Sequence, residues 1–318
     1  MTIASATSNR PVLTLGHSPD PDDVFMWWPV TGMVDPADHS RVVESPAIDT
    51  GRFRYAALPA DIQVLNRRAI EQGDLDITAI SVNTYPRIAA KYRMTSFGGS
   101  VGYGYGPKIV VRDDSLLRDV QGLTRGTGAP ARIAVPGRDT TAFLLLCLST
   151  GARPGELNTV EAPFDRILGM VASREVEAGL LIHQSQLTFA DLGLRQLIDV
   201  GKWWLDETAF PLPLGANAVR RDLDERFGPG SLADVVRTLD HSIRYALGHR
   251  QRSTDYAMRF APELSREQTD AYIDMYVNDL TIDAGQPGRE AMVRLFEAAY
   301  KLGMIDRVPP LDLASPDG

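Results

Sequence analysis

Short apolar runs and amphipathic stretches alternate along the first two thirds of the chain. PVLTLGH, FRYAALP and LDITAIS read as strands, and DDVFMWWPV, ADIQVLNRRAIEQ and VNTYPRIAAKY carry apolar positions at helical spacing. A second series follows the glycine-rich FGGSVGYGYGPKIVVR: ARIAVPG, TTAFLLLCLST, NTVEAPF, FDRILGMVAS, EAGLLIH and LRQLIDVG. From about residue 223 the strand signals stop, and SLADVVRTLDHSIRYALGH, REQTDAYIDMYVNDL and REAMVRLFEAAYKLG read as amphipathic helices.

Two α/β units and a helical tail predict a bilobal α/β binding-protein architecture. Residues 1–107 and 222–318 are expected to form lobe 1, with the helical tail packed on it, and 108–221 to form lobe 2. YGPKIVVR and PLPLGANAVRR are the two crossing strands, and a ligand is expected in the cleft between the lobes. GYGYG does not fit G-x-G-x-x-G, and an apolar run follows it where a helix should begin, so it reads as hinge glycine.

At 318 residues, 44% hydrophobic and 23% charged, the chain can bury a sizeable core. Its net charge of −8 offers no general attraction to nucleic acid or an anionic membrane, so an anionic ligand needs local donors. Cys147, the only cysteine, lies in AFLLLCLST and reads as a buried thiol, which excludes a disulfide framework. MTIASATSNRPVL lacks the pattern of an export signal, and no apolar segment has the length of a membrane span, so a cytoplasmic protein is expected.

In open α/β sheets, ligands collect beyond the carboxyl ends of strands. His17 and Ser18 follow VLTLG, Ser81 follows DITAI, Thr140 and Thr141 follow RIAVPGRD, and His183 follows AGLLI. Thr140 and Thr141 open an apolar helix whose free N–H groups favour an anion; ordinary capping by Asp139 or Thr140 explains them equally. Of the histidines at 17, 39, 183, 241 and 249, only His17 and His183 end strands. A neutral imidazole at His183 suits proton abstraction next to a carbonyl, and a histidine satisfied by backbone bonds is the alternative. Trp27, Trp28, Trp203 and Trp204 read as core rather than as stacking partners of a ligand. In GHSPDPDD, Asp20 reads as an N-cap, Pro21 as the first helical residue, and Asp22 and Asp23 as first-turn carboxylates. The cluster is thus expected to be architectural, neither a metal site nor part of the chemistry.

Seven segments in order resemble the 1,4-dihydroxy-6-naphthoate synthase family of the futalosine route to menaquinone, itself related to bilobal solute-binding proteins. They are LGHSPDPDDVFMWW, DIQVLNRRAIEQGDLDITAISVNTYPRI, GYGYGPKIVVR, IAVPGRDTTAFLLL, AGLLIHQSQLTFADLGLRQLIDVGKWW, PLPLGANAVRRDL and MYVNDLTIDAGQPGREAMVRLF. The resemblance implies a periplasmic-binding-protein-like type II fold and a lyase acting on cyclic dehypoxanthinyl futalosine, without metal or cofactor. It implies His183 as proton acceptor, and Ala79, Ile80, Ser81, Thr140 and Thr141, with Ser18, as substrate-binding positions. The implied partner is a small anionic substrate, with assembly as a homodimer left open. Against the family's S-P-C-P-N-D-T opening, Asp20, Asp22 and Val24 stand for cysteine, asparagine and threonine, and Gln184 stands where glutamate is expected. The rival readings are a non-catalytic solute-binding protein and the sister enzyme chorismate dehydratase.

Overall fold

The structure, a computed structural model, describes residues 10–125 and 130–317. Residues 1–9, part of the stretch expected to lack an export signal, lie outside them. The first part runs β1 (Val12–His17), α1 (Pro21–Thr31), β2 (Met33–Asp35), β3 (Asp38–Glu44), β4 (Arg54–Pro59), α2 (Ile62–Glu71), β5 (Ile77–Ser81), α3 (Tyr85–Ile88), β6 (Tyr92–Thr95) and β7 (Ser100–Gly102). The middle comprises β8 (Lys108–Arg112), α4 (Gly122–Arg125), β9 (Ile133–Val135), α5 (Thr141–Thr150), β10 (Thr159–Glu161), α6 (Phe164–Ala172), β11 (Ala178–Leu181), α7 (Ser185–Thr188), β12 (Leu194–Asp199) and α8 (Val200–Thr208). The last part is β13 (Leu212–Arg220), α9 (Leu223–Phe227), α10 (Ser231–Gly248), α11 (Arg250–Ala257), α12 (Arg266–Tyr276), α13 (Asp279–Ile282), α14 (Gly285–Leu302) and β14 (Leu313–Ala314).

Two sheets carry the site. The larger has the order β14-β6-β13-β5-β1-β4, with β7 also on β13, and the smaller has the order β10-β9-β11-β8-β12. β1 pairs in parallel with β4 and β5, and all five residues of β5 are buried, as in a strand covered on both faces. β8 starts the second sheet at Lys108, antiparallel to β11 and β12.

The expected limit of lobe 2 at residue 221 needs correction. β13 lies antiparallel to β5, β6 and β7, with Gly215 opposite Ser81 and Ala218 opposite Met94, so the chain has already rejoined the larger sheet at Leu212. Its apolar pattern fits either sheet, and only pairing with residues more than a hundred positions away decides between them.

Helix α1 is buried at all eleven positions, as expected for a helix apolar around most of its surface. Its core residues, among them Phe25, Trp27 and Trp28, pack with apolar residues of β1, α10 and α12. Trp28 Nε1 donates to Ser253 Oγ at 2.9 Å, and its ring meets Tyr245 edge-on. Helices α10 to α12 therefore cover the first lobe, whereas α14 contacts both β13 and α5. A single apolar cluster joins Ile80 and Tyr92 of the larger sheet to Ile133, Leu145 and Trp204 beyond it, so the two halves are closed on each other. Among the described residues, no helix is long and apolar enough to cross a membrane.

Candidate active site

The carboxyl ends of β1, β5 and β11 and the start of α5 converge on a cleft between the sheets. Ser18, Ser81, Thr140, Thr141 and His183 line it, as the strand-end rule expects, and so do Ala79 and Ile80, the positions implied by the resemblance. His17 does not. It is buried below the wall with Nδ1 2.7 Å from Ser18 O, and burial, with a smaller contribution from His39, lowers its pKa to about 4.

His183 sits two residues beyond β11 at φ 57°, a left-handed conformation costing roughly 1–2 kcal/mol for a residue with a side chain. The turn aims the imidazole back into the cleft, where Phe164 holds it edge-on at 4.7 Å between ring centroids. Nδ1 is in contact with Asp20 Oδ2, from the start of α1 on the other side of the cleft. Nε2 is buried and has no hydrogen-bond partner. Burial alone lowers the basicity of this ring, but the charge and hydrogen bond of Asp20, helped by Asp61 and Asp22, outweigh it and raise the pKa above the usual 6.5.

The GHSPDPDD cluster takes its expected positions, with Asp20 at the N-cap, Pro21 opening the helix and Asp22 and Asp23 in the first turn, but it goes beyond an architectural role because its carboxyl groups reach the cleft. Asp20 has the extended backbone of an N-cap, yet its side chain makes no capping bond. Asp23 instead accepts the Ser18 N–H at 2.7 Å, Ser18 Oγ accepts the Asp20 N–H at 3.2 Å, and Asp22 accepts the Ser100 hydroxyl at 2.8 Å. Asp20, Asp22 and Asp23 all face the cleft. Burial, then the Asp20 charge, pushes Asp22 up to about 6; burial, then the Asp22 charge, pushes Asp23 up to about 8. Asp20 stands at the N-cap without a capping bond because the partner that claims its side chain lies 163 residues away in sequence. Among the described residues, no three His, Cys, Asp or Glu side chains are placed to hold a metal ion.

The opposite wall is neutral. Thr140 caps α5, accepting the Phe143 N–H at 3.1 Å and donating to Gly137 O at 2.8 Å, so its hydroxyl proton is committed. Thr141 Oγ donates to Leu214 O at 2.8 Å and accepts the Asn83 N–H at 3.2 Å. What α5 can still offer an anion is the first-turn N–H groups of Thr141 and Ala142. Ser81 exchanges hydrogen bonds with Asn66, accepting from Nδ2 at 3.0 Å and donating its N–H at 2.8 Å, which leaves the hydroxyl proton for a ligand.

Tyr272 and Tyr276, one turn apart on α12, add aromatic surface to the cleft, with the Tyr276 hydroxyl bonded to Gln186 at 3.2 Å. The helical spacing of these tyrosines was visible in sequence, but their orientation toward the cleft was not. Trp27, Trp28 and Trp204 are core, and Cys147 is a buried thiol whose pKa burial raises to about 12.

A family model described as menaquinone biosynthesis matches residues 13–301. The chain is 39% identical over 297 residues to a 1,4-dihydroxy-6-naphthoate synthase of Thermus thermophilus, covering 92% of this chain and 95% of that protein. It is 33% identical over 308 residues to a 1,4-dihydroxy-6-naphthoate synthase of Streptomyces coelicolor, covering 96% and 98%. Among solved structures, a structural-genomics protein of Archaeoglobus fulgidus has a TM-score of 0.75 at 37% identity, covering 92% of this chain and 98% of that one. The periplasmic aliphatic sulphonate binding protein of Escherichia coli has a TM-score of 0.58 at 14% identity, covering 97% and 93%. That likeness concerns the fold alone, which is periplasmic-binding-protein-like.

Proposed function

The chain belongs to the menaquinone biosynthesis family, and from that premise we propose that it is a carbon–carbon lyase converting cyclic dehypoxanthinyl futalosine to 1,4-dihydroxy-6-naphthoate, with His183 as proton acceptor. The observation that carries this reading is the state of the imidazole: Nδ1 is engaged, while Nε2 is buried, unpartnered and on the cleft wall.

The substrate carboxylate lies at the neutral end of the cleft, against the N–H groups that open α5 and the Ser81 hydroxyl, where helix-dipole and hydroxyl donors favour an anion. This end suits it because the other end carries three carboxyl groups. Nε2 takes a proton from the substrate, the electron pair moves into a carbonyl as the carbon–carbon bond breaks, and aromatisation of the new ring supplies driving force. Closure of the two lobes excludes water and fixes the reacting geometry. The substrate is a soluble small molecule, and the reading includes a cytoplasmic location.

His183→Asn tests the assignment. The variant is expected to bind substrate within a few-fold of wild type by titration calorimetry and to release no naphthoate. Turnover at the wild-type rate would remove His183 from the role.

A further inference from the structure

Asp20 is a costly residue where it stands. Its side chain is only 3% exposed, Oδ1 is buried with no partner, and the helix start it was expected to cap takes no side-chain bond from it. A buried carboxylate of this kind is retained only when a charge or a strong donor compensates it. The compensation comes from the other lobe, from His183, which itself holds a left-handed backbone conformation.

We infer that Asp20 is the positioning residue of the base: it receives the Nδ1–H of His183 across the closed cleft, leaves Nε2 as the ring nitrogen that faces the ligand, and completes the base only when the two lobes shut. This rests on the assignment of His183 as proton acceptor. As Nε2–H forms and the substrate's bond to that proton breaks, the ring becomes an imidazolium whose new charge lies against the Asp20 carboxylate, where a preformed partner stabilises it most. With the cleft open, Asp20 is left to water and the imidazole has either tautomer available. Proton abstraction is thereby tied to closure, and an unclosed site is a poor base.

Other groups face the ring. Asp22, beside Asp20, and Asp61, ahead of α2, add negative charge; Tyr272 and Tyr276 border the same cleft from α12, and Phe164 covers the ring. Glu263 reaches the neighbouring Gln184 at 2.9 Å rather than the ring. Among the ionisable groups of the described residues, only Asp20 contacts the ring nitrogen directly.

Asp20→Asn removes the charge and keeps the shape. The expected result is a fall in kcat of roughly 10²-fold or more with substrate affinity changed only a few-fold. The titration of the His183 ring, followed by NMR with ¹⁵N-labelled histidine, is expected to shift downward, since burial is then opposed only by the more distant charges of Asp61 and Asp22. Asp20→Ala is expected to recover part of its activity on addition of formate, which can occupy the vacated carboxylate position. A His183 titration and tautomer unchanged in Asp20→Asn would overturn the inference, as would parallel losses of kcat and affinity with no formate rescue. The ring titration and tautomer are read without turnover, so they test the Asp20–His183 link even if His183→Asn showed the base to be another group.

Discussion

Gln63 and Asp139 hold each other across the mouth of the cleft by two hydrogen bonds: Gln63 Nε2 donates to Asp139 Oδ2 at 2.6 Å, and the Asp139 N–H donates to Gln63 Oε1 at 3.2 Å. Arg87 adds a third hold on Asp139 at 2.6 Å, and Arg67 of α2 pairs with Glu161 of β10. Gly137 makes the approach possible, since a Cβ there would overlap the Gln63 side chain. These contacts lie outside the reacting centre and join the two halves of the molecule.

Gln63→Ala removes both bonds and so favours the open form. At about 0.5–1.5 kcal/mol per bond, kcat/KM is expected to fall roughly ten-fold, with a larger radius of gyration by solution scattering. Unchanged values of both would show that the clamp does not govern closure.

Much of this arrangement was legible in the sequence because strands announce themselves by apolar runs and ligands collect at their ends. VLTLG, DITAI and AGLLI located Ser18, Ser81 and His183, and the apolar helix after PGRD located Thr140 and Thr141. Features decided by long-range pairing stayed hidden. β3, DHSRVVE, is exposed along nearly its whole length and carries no alternation, and β14 is two residues long. α11, RQRSTDYA, is almost wholly polar, and the sheet to which β13 belongs is set by distant partners. The contact of Asp20 with His183 stayed hidden for the same reason: its local context spells only a helix cap, and its side-chain partner comes from the second lobe.

The acid limb of kcat/KM is expected above pH 6.5, because the base must be unprotonated and Asp20 raises the His183 pKa. A limb at or below 6.5 in wild type would contradict that electrostatic setting.

Stability is expected to fall as pH rises. Asp22 and Asp23 have folded-state values raised to about 6 and about 8, so their contribution is complete below the unfolded value of 3.8 and is lost as pH climbs through the raised values. Asp23→Asn keeps an acceptor for the Ser18 N–H and removes the later of these losses. The decline in Tm between about pH 5 and 9 is expected to be shallower in the variant than in wild type. Parallel Tm profiles would show that Asp23 does not carry this dependence.

Gly98 lines the cleft at φ 74°, and a Cβ there would come within 2.8 Å of Asn217 Nδ2, which itself bonds Gly98 O at 2.6 Å. Gly98→Ala is expected to cost on the order of 1–2 kcal/mol by denaturant unfolding and to weaken substrate binding. Wild-type stability and affinity would show that the loop absorbs the side chain.

The most direct measurement is the reaction itself: purified protein is mixed with cyclic dehypoxanthinyl futalosine and the fluorescence of 1,4-dihydroxy-6-naphthoate is followed. Catalytic appearance of the naphthoate, abolished in His183→Asn, is the predicted result. Recovery of intact substrate, together with dehydration of chorismate or tight binding of a small anion without turnover, would contradict it.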